Sequence, residues 1–215
     1  MSTPVGRRSR AQVWILLSVF FVPLALAFLL YYGTGGWRPP GSTNHGELIS
    51  PPRPLPSVTL PTPGGAPLAP ETWHGKWTLL YVGDGRCDGR CRAALLHMRQ
   101  TRLALNADMS RVQRIFLATG NCCDRPYLTA EHPDLAVALA DNDAGAQLLA
   151  AFPEALPAAD FPGDYSQSAN ADRSGTYIYV IDPLGNLMMR HAPEPPPAKG
   201  LLEDLRRLLK LSHIG

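Results

Sequence analysis

In the stretch GDGRCDGRC, residues 83–91, Cys87 and Cys91 are separated by three residues, Asp88, Gly89 and Arg90. Four positions apart on a helical turn, two such side chains lie on one face. A thiol pair at this spacing supports three behaviours. It can close a disulfide and pass redox equivalents, hold a soft ion such as Cu(I), or stay inert as two buried groups. Arg86, Arg90 and Arg92 surround it with positive charge, which favours the thiolate, the form that attacks and ligates. A second pair, Cys122 and Cys123, stands in NCCD at 121–124. A direct bond between those two is not expected, because adjacent cysteines rarely bridge. The roles left to them are resolving a mixed disulfide with Cys87 or Cys91, adding a third thiolate to copper, or filling a tight loop. Asp84, Asp88 and Asp124 are read as turn and cap residues rather than as a hard-metal cluster.

The elements that must position these residues follow from hydrophobic pattern. WTLLYV (77–82) is a short apolar run that fits a strand buried on both faces, and Ala94, Met98, Thr101 and Leu105 at helical spacing predict a helix within 88–107. VQRIFLAT (112–119) reads as a second strand ended by the Gly120–Asn121 turn signal, DLAVALA (134–140) as a third, and AGAQLLAAF (144–152) as a helix. TYIYVID (176–182) and NLMMRH (186–191) flank PLG as a β-hairpin. Leu201, Leu202, Leu205, Leu208 and Leu209 form the apolar face of a last helix. The order βαβ, βα, ββα predicts an α/β fold, a thioredoxin-like central sheet flanked by helices. Right-handed crossover makes strands 77–82 and 112–119 parallel. Loops 83–91 and 119–125 then open on the same sheet edge, where open α/β sheets place their sites. Cys87 and Cys91 straddle a helix start, whose unpaired N–H groups and dipole favour thiolate.

Before this domain, VWILLSVFFVPLALAFLLYY runs from Val13 to Tyr32 without a charge, long enough to cross a hydrocarbon core of about 30 Å. Arg7, Arg8 and Arg10 precede it and keep that end in the cytoplasm by the positive-inside rule. The competing reading is a cleaved signal peptide, for which ALA at 25–27 is the cleavage-like sequence. The expected layout is a basic cytoplasmic N-terminus (1–12), a transmembrane anchor in lipid (13–32), a Pro/Gly-rich tether (33–70) and an extracytoplasmic domain (71–215). Residues 33–70 hold ten prolines, a composition that favours extended chain, with Leu48 and Leu55 marking where a first strand has the option of packing on the domain. Residues 71–215 carry 15 Lys plus Arg against 17 Asp plus Glu, which excludes the basic surplus of a nucleic-acid partner. The sequence lacks G-x-S-x-G, H-E-x-x-H and G-x-x-x-x-G-K-S/T, so hydrolytic and P-loop chemistry find no support. A peroxiredoxin-like peroxidase fits a C-x-x-x-C pair poorly.

The single anchor, GKWTLLYVGDGRCDGRC and the YIYVIDPLG strand and turn together resemble the Sco/SenC family, membrane-anchored thioredoxin-like proteins that help build the copper centre of cytochrome oxidase. The resemblance runs from about Trp77 to the C-terminus and is weak in the middle. It implies thiol–disulfide exchange, or Cu(I) bound by Cys87 and Cys91, in a single-pass protein of a bacterial inner membrane with its domain in the periplasm. The implied partners are an inner-membrane respiratory oxidase subunit or its assembly factors. The family's third copper ligand, a histidine just before the YIYVIDP strand, has no counterpart: ANADRSG puts Asp172, Arg173 and Ser174 there. The prolines that follow the family's cysteines are replaced by Asp88 and Arg92, and no proline directly precedes Thr176, where thioredoxins place one. His97 is read as a partly exposed helix residue, His191 as surface, His132 as loop, and His45 and His74 as belonging to the tether or its border. Thiol exchange is therefore the favoured chemistry. The enzyme class left open is thiol–disulfide oxidoreductase, and the alternative is a non-catalytic thioredoxin-like interaction module in oxidase assembly.

Overall fold

The computed structural model describes residues 6–33, 44–120, 122–153, 177–192, 199–212 and 214. The chain divides into two units, Met1–Thr43 and Asn44–Gly215. The first contains α1 (Gly6–Gly33) with Pro23 inside it. Its stretch Ala11–Gly33 is 23 residues long with a mean hydropathy of 2.7. At 1.5 Å per residue that spans roughly 35 Å, enough for a bilayer core.

The second unit is built on one six-stranded sheet in the order β1-β6-β5-β2-β3-β4. Strand β2 (Trp77–Asp84) is central and buried along nearly its whole length. It runs parallel to β3 (Val112–Thr119), which pairs in parallel with β4 (Leu135–Leu139). On its other side β2 pairs antiparallel with β5 (Ile178–Ile181), which makes a hairpin with β6 (Asn186–His191). Alternation splits the strands between two cores: Leu79, Tyr81, Phe116, Ile178 and Val180 point to one face, Leu80, Val82, Ile115, Leu117 and Ile181 to the other. The first face is covered by α2 (Gly89–Ala104) and α5 (Lys199–Leu211) through Leu95, Met98, Leu201 and Leu205. The second is covered by the 55–73 segment and α4 (Asp143–Leu149) through Leu60, Trp73 and Leu148. The expected α/β thioredoxin-like sheet is present, with strand β3 and the second hairpin strand at their expected bounds.

The boundary expected at Glu71 is displaced. Strand β1 (Glu47–Pro54) pairs antiparallel with β6, Glu47 opposite Arg190 and Pro54 opposite Asn186, with an irregularity between Leu48 and Arg53. Val58, Leu60 and Leu68 are buried, Leu60 exchanging backbone hydrogen bonds with Leu68 at 3.0 and 2.8 Å. The folded unit thus takes in residues 44–70 of the expected tether. The first strand that Leu48 marked as an option is formed, although proline density favoured the tether reading. Proline lacks an N–H but is tolerated on edge strands and at bulges, and β1 is an edge strand. A short helix also went unforeseen, α3 (Arg125–Glu131), opened by Asp124, whose side chain accepts from the Tyr127 N–H at 3.3 Å, with Pro126 in its first turn.

Candidate functional site

The loop after β2 turns sharply into α2. The Gly85 N–H donates to Thr119 O at 2.9 Å, and the Cys87 N–H to Asp84 O at 3.0 Å. Cys87 itself has φ +50°, a left-handed conformation uncommon outside glycine, asparagine and aspartate. Asp88 caps α2 by accepting the Cys91 N–H at 3.0 Å, as the sequence suggested. Cys87 and Cys91 are joined as a disulfide with Cα atoms 4.9 Å apart, inside the range such bonds need. The two residues are only 1% and 2% exposed and belong to the core with Tyr81, Ala94 and Leu95. Burial pushes the Tyr81 phenol up, with the Asp88 charge adding to the effect. Asp84 accepts from Arg86 side chain and backbone, at 3.0 and 2.8 Å, and these bonds hold its carboxyl below the ordinary range.

The loop after β3 lies against this one. The Asp124 N–H donates to Gly85 O at 3.3 Å. Arg92 links both loops: its Nε donates to Cys87 O at 3.3 Å, its Nη2 to Asp124 Oδ2 at 3.0 Å, and its guanidinium lies 4.5 Å from the Tyr127 ring centre. The sequence placed both cysteine pairs on one sheet edge, and the loops do meet there. Cys122 and Cys123 stand side by side in the loop after β3. Cys87 and Cys91 are joined to one another, so neither is bonded to Cys122 or Cys123. Cys122 is exposed; Cys123 is half-buried and packs against the core that contains Cys87 and Cys91.

Three histidines, His191, His45 and His132, are placed otherwise than expected, while His97 is the partly exposed helix residue it was read as. His191 is not on the surface: it is 6% exposed, with Nε2 3.0 Å from Met189 Sδ and 3.4 Å from Asp204 Oδ2. Burial pushes its pKa down to about 4 despite the opposing pull of the Asp204 carboxylate. Asp204, on α5, also accepts the backbone N–H groups of His45 and Gly46, both at 2.9 Å, so His45 belongs to the folded unit rather than to a tether. His132 is a buried helix cap instead of a loop residue, its Nδ1 3.4 Å from Arg114 Nη1 and its Nε2 3.1 Å from Tyr127 Oη. His97 is half-buried on α2; burial lowers its pKa, and its Nε2 has no protein partner among the described residues. His74 stays exposed beside Leu184. Asp172, Arg173, Ser174 and Thr176 lie outside the described residues. Among the described residues, no group of three or more His, Cys, Asp or Glu is arranged to hold a metal ion. Asp204 was missed from sequence, although it falls in the i, i+3, i+4 stripe with Leu201 and Leu205, where burial was legible; Arg92 was expected as positive charge beside the cysteines, and its link between the two loops was not foreseen.

This geometry defines a thioredoxin-like domain with a C-x-x-x-C disulfide at the β2–α2 junction. Residues 77–212 match the family described as transmembrane-like, thioredoxin-like, C-terminal domain, and the chain belongs to that family. Similar solved structures include those of Sco proteins. Apo Sco1 from Thermus thermophilus is 23% identical with a TM-score of 0.59, the match covering 77% of this chain and 97% of that one. Bradyrhizobium japonicum ScoI with copper bound is 22% identical with a TM-score of 0.53, covering 71% and 98%. A SCO1/SenC family lipoprotein from Bacillus anthracis is 14% identical with a TM-score of 0.56, covering 75% and 99%. At these identities the likeness is one of fold. No curated protein matches the sequence.

Proposed function

We propose that this protein is a membrane-anchored, Sco-like assembly factor for a copper-containing respiratory oxidase. Its domain works on the periplasmic side of a bacterial inner membrane through the Cys87–Cys91 couple. The observation that carries the reading is that couple at a strand–turn–helix junction, on a fold shared with Sco proteins. Reduction of the disulfide takes two electrons and two protons and yields two thiols, the product that either exchanges with a partner's cysteines or receives a soft ion. Thiol exchange is the leading chemistry. Among the described residues no third His, Cys, Asp or Glu is grouped with the pair, so copper as cargo would rest on the two sulfurs, an arrangement suited to Cu(I) and not to Cu(II), which prefers imidazole and a tetragonal field.

The test uses the full chain in detergent, reduced without oxygen. It is expected to take up one Cu(I), to lose it to a competing chelator, and to show no Cu(II)–thiolate colour. Cys87→Ser or Cys91→Ser each abolishes uptake, and His191→Ala leaves it unchanged because that imidazole is engaged with Met189 and Asp204. A tight coloured Cu(II) complex would reveal a further ligand. The burial of both sulfurs favours a second reading, a non-catalytic interaction module in which the disulfide only holds the loop. That reading wins if cells carrying the double Cys87→Ser, Cys91→Ser variant assemble an oxidase of normal copper content.

A further inference from the structure

We propose that Arg92 is the latch of the Cys87–Cys91 couple: its guanidinium holds the Cys87 loop against the loop after β3 and so sets how fast a reductant reaches the disulfide. The proposal rests on the thiol-exchange reading above and says what regulates that site. Disulfide exchange requires a thiolate to reach a disulfide sulfur, so its rate depends on access. At 1% and 2% exposure, Cys87 and Cys91 offer an attacker no path while the loop stays closed. A reductant reaches them after a local opening, and the contacts broken in that opening set how often it occurs.

The closed loop needs a clasp. Cys87 sits at φ +50°, a backbone conformation that costs a residue with a Cβ and persists where the surroundings hold it. Arg92 bonds that residue directly, its Nε donating to Cys87 O at 3.3 Å. The same guanidinium donates from Nη2 to Asp124 Oδ2 at 3.0 Å and lies 4.5 Å from the Tyr127 ring centre. Its anchorage on that side is itself fixed. Asp124 accepts the Tyr127 N–H at 3.3 Å, and Tyr127 Oη is 3.1 Å from Nε2 of the buried His132. His132 Nδ1 in turn is 3.4 Å from Nη1 of Arg114, which is fully buried and paired with Asp134. One half-exposed cation on α2 thus fastens the Cys87 carbonyl to a braced neighbour.

The reaction behind the latch balances. Once the loop opens, one thiolate of a dithiol attacks a sulfur of the Cys87–Cys91 bond, forms a mixed disulfide and releases the other cysteine as thiolate. The dithiol's second sulfur resolves that bond and closes a disulfide with the first. Two electrons and two protons have passed from the dithiol to Cys87 and Cys91. Arg92 takes no part in these transfers; it is a positioning residue that governs the opening before them.

The experiment takes the oxidised full chain in detergent and follows reduction of Cys87 and Cys91 by dithiothreitol, with acid quenching, alkylation and peptide mapping by mass. Arg92→Ala is expected to speed that reduction about tenfold, through loss of a charge-assisted hydrogen bond and a cation–π contact at a partly exposed site. The melting midpoint of the oxidised protein is expected to stay unchanged, which separates a latch from a general support of the fold. Arg92→Lys keeps the charge but lacks the planar fork that spans Cys87 O and Asp124, and is expected to behave as Arg92→Ala does. An unaltered or slower rate in Arg92→Ala overturns the latch, and so does an acceleration matched by a fall in melting midpoint. An Arg92→Lys rate equal to that of the unaltered protein also overturns it, by assigning the effect to charge alone. Reduced thioredoxin, a protein dithiol, tests the exchange reading beside it. If thioredoxin leaves Cys87 and Cys91 oxidised in all three proteins while dithiothreitol still shows the acceleration, the exchange reading falls and the latch stands.

Discussion

His191 shows most plainly what a single residue's surroundings do. Its imidazole is enclosed by Met189 on its own strand, Asp204 on α5 and the close approach of Gly46, with His45 and His97 near enough to oppose a further positive charge. Burial dominates and lowers the pKa from 6.5 to about 4. The unfolded chain therefore binds a proton that the folded chain refuses between those values. The contribution is fully present above about pH 6.5 and is lost as pH falls toward 4, amounting to about 3 kcal/mol at most. Urea melts at pH 7, 5.5 and 4.5 are expected to show falling stability, and His191→Gln is expected to flatten that fall whatever its effect at pH 7. An equally steep fall in His191→Gln would place the acid sensitivity elsewhere. Cys87, Cys91 and the Asp88 cap were legible because their chemistry is local: a turn, a cap and a helix start lie within a few residues. His191 was not legible, since its burial is created by α5 and by the chain ahead of β1, both remote in sequence.

At the scale of elements, the instructive case is the segment between β1 and the short 3₁₀ turn at Pro70–Trp73. Strands β2, β3 and β6 announced themselves by apolar runs between turn residues. Residues 55–69 show no period, because their buried residues, Val58, Leu60 and Leu68, are spaced by a loop that folds back on itself. Proline-rich chain lacks donors for a ladder, so sequence pattern read it as tether. The structure makes it a lid on one sheet face, with Leu139 N–H donating to Pro61 O at 2.8 Å. Leu60 is fully buried, so Leu60→Ala is expected to cost about 2–5 kcal/mol by leaving a cavity in that core. Were the segment a tether, the same change would fall within about 0.5 kcal/mol. Chemical denaturation of the two proteins decides between these values.

The whole molecule joins a helix able to span a bilayer to a domain that carries the Cys87–Cys91 disulfide. Thiol exchange through that pair needs a compartment that does not keep it reduced, and the placement proposed for the domain provides one. The charge pattern points the same way independently. Arg7, Arg8 and Arg10 precede the apolar stretch, whereas Arg38 is the one Lys or Arg within about 15 residues after it, and the side richer in Lys and Arg stays in the cytoplasm. Alkaline phosphatase, which needs disulfides to be active, is therefore expected to work when fused after Gly215, and green fluorescent protein fused there through the same export route is expected to stay dark. Replacing Arg7, Arg8 and Arg10 with Gln removes the bias, and part of the population is expected to invert, lowering phosphatase activity and raising fluorescence. A bright fusion on the unaltered chain would place the domain in the cytoplasm. There the Cys87–Cys91 disulfide would meet a reducing poise, and the exchange chemistry proposed for Cys87 and Cys91 would lose its setting.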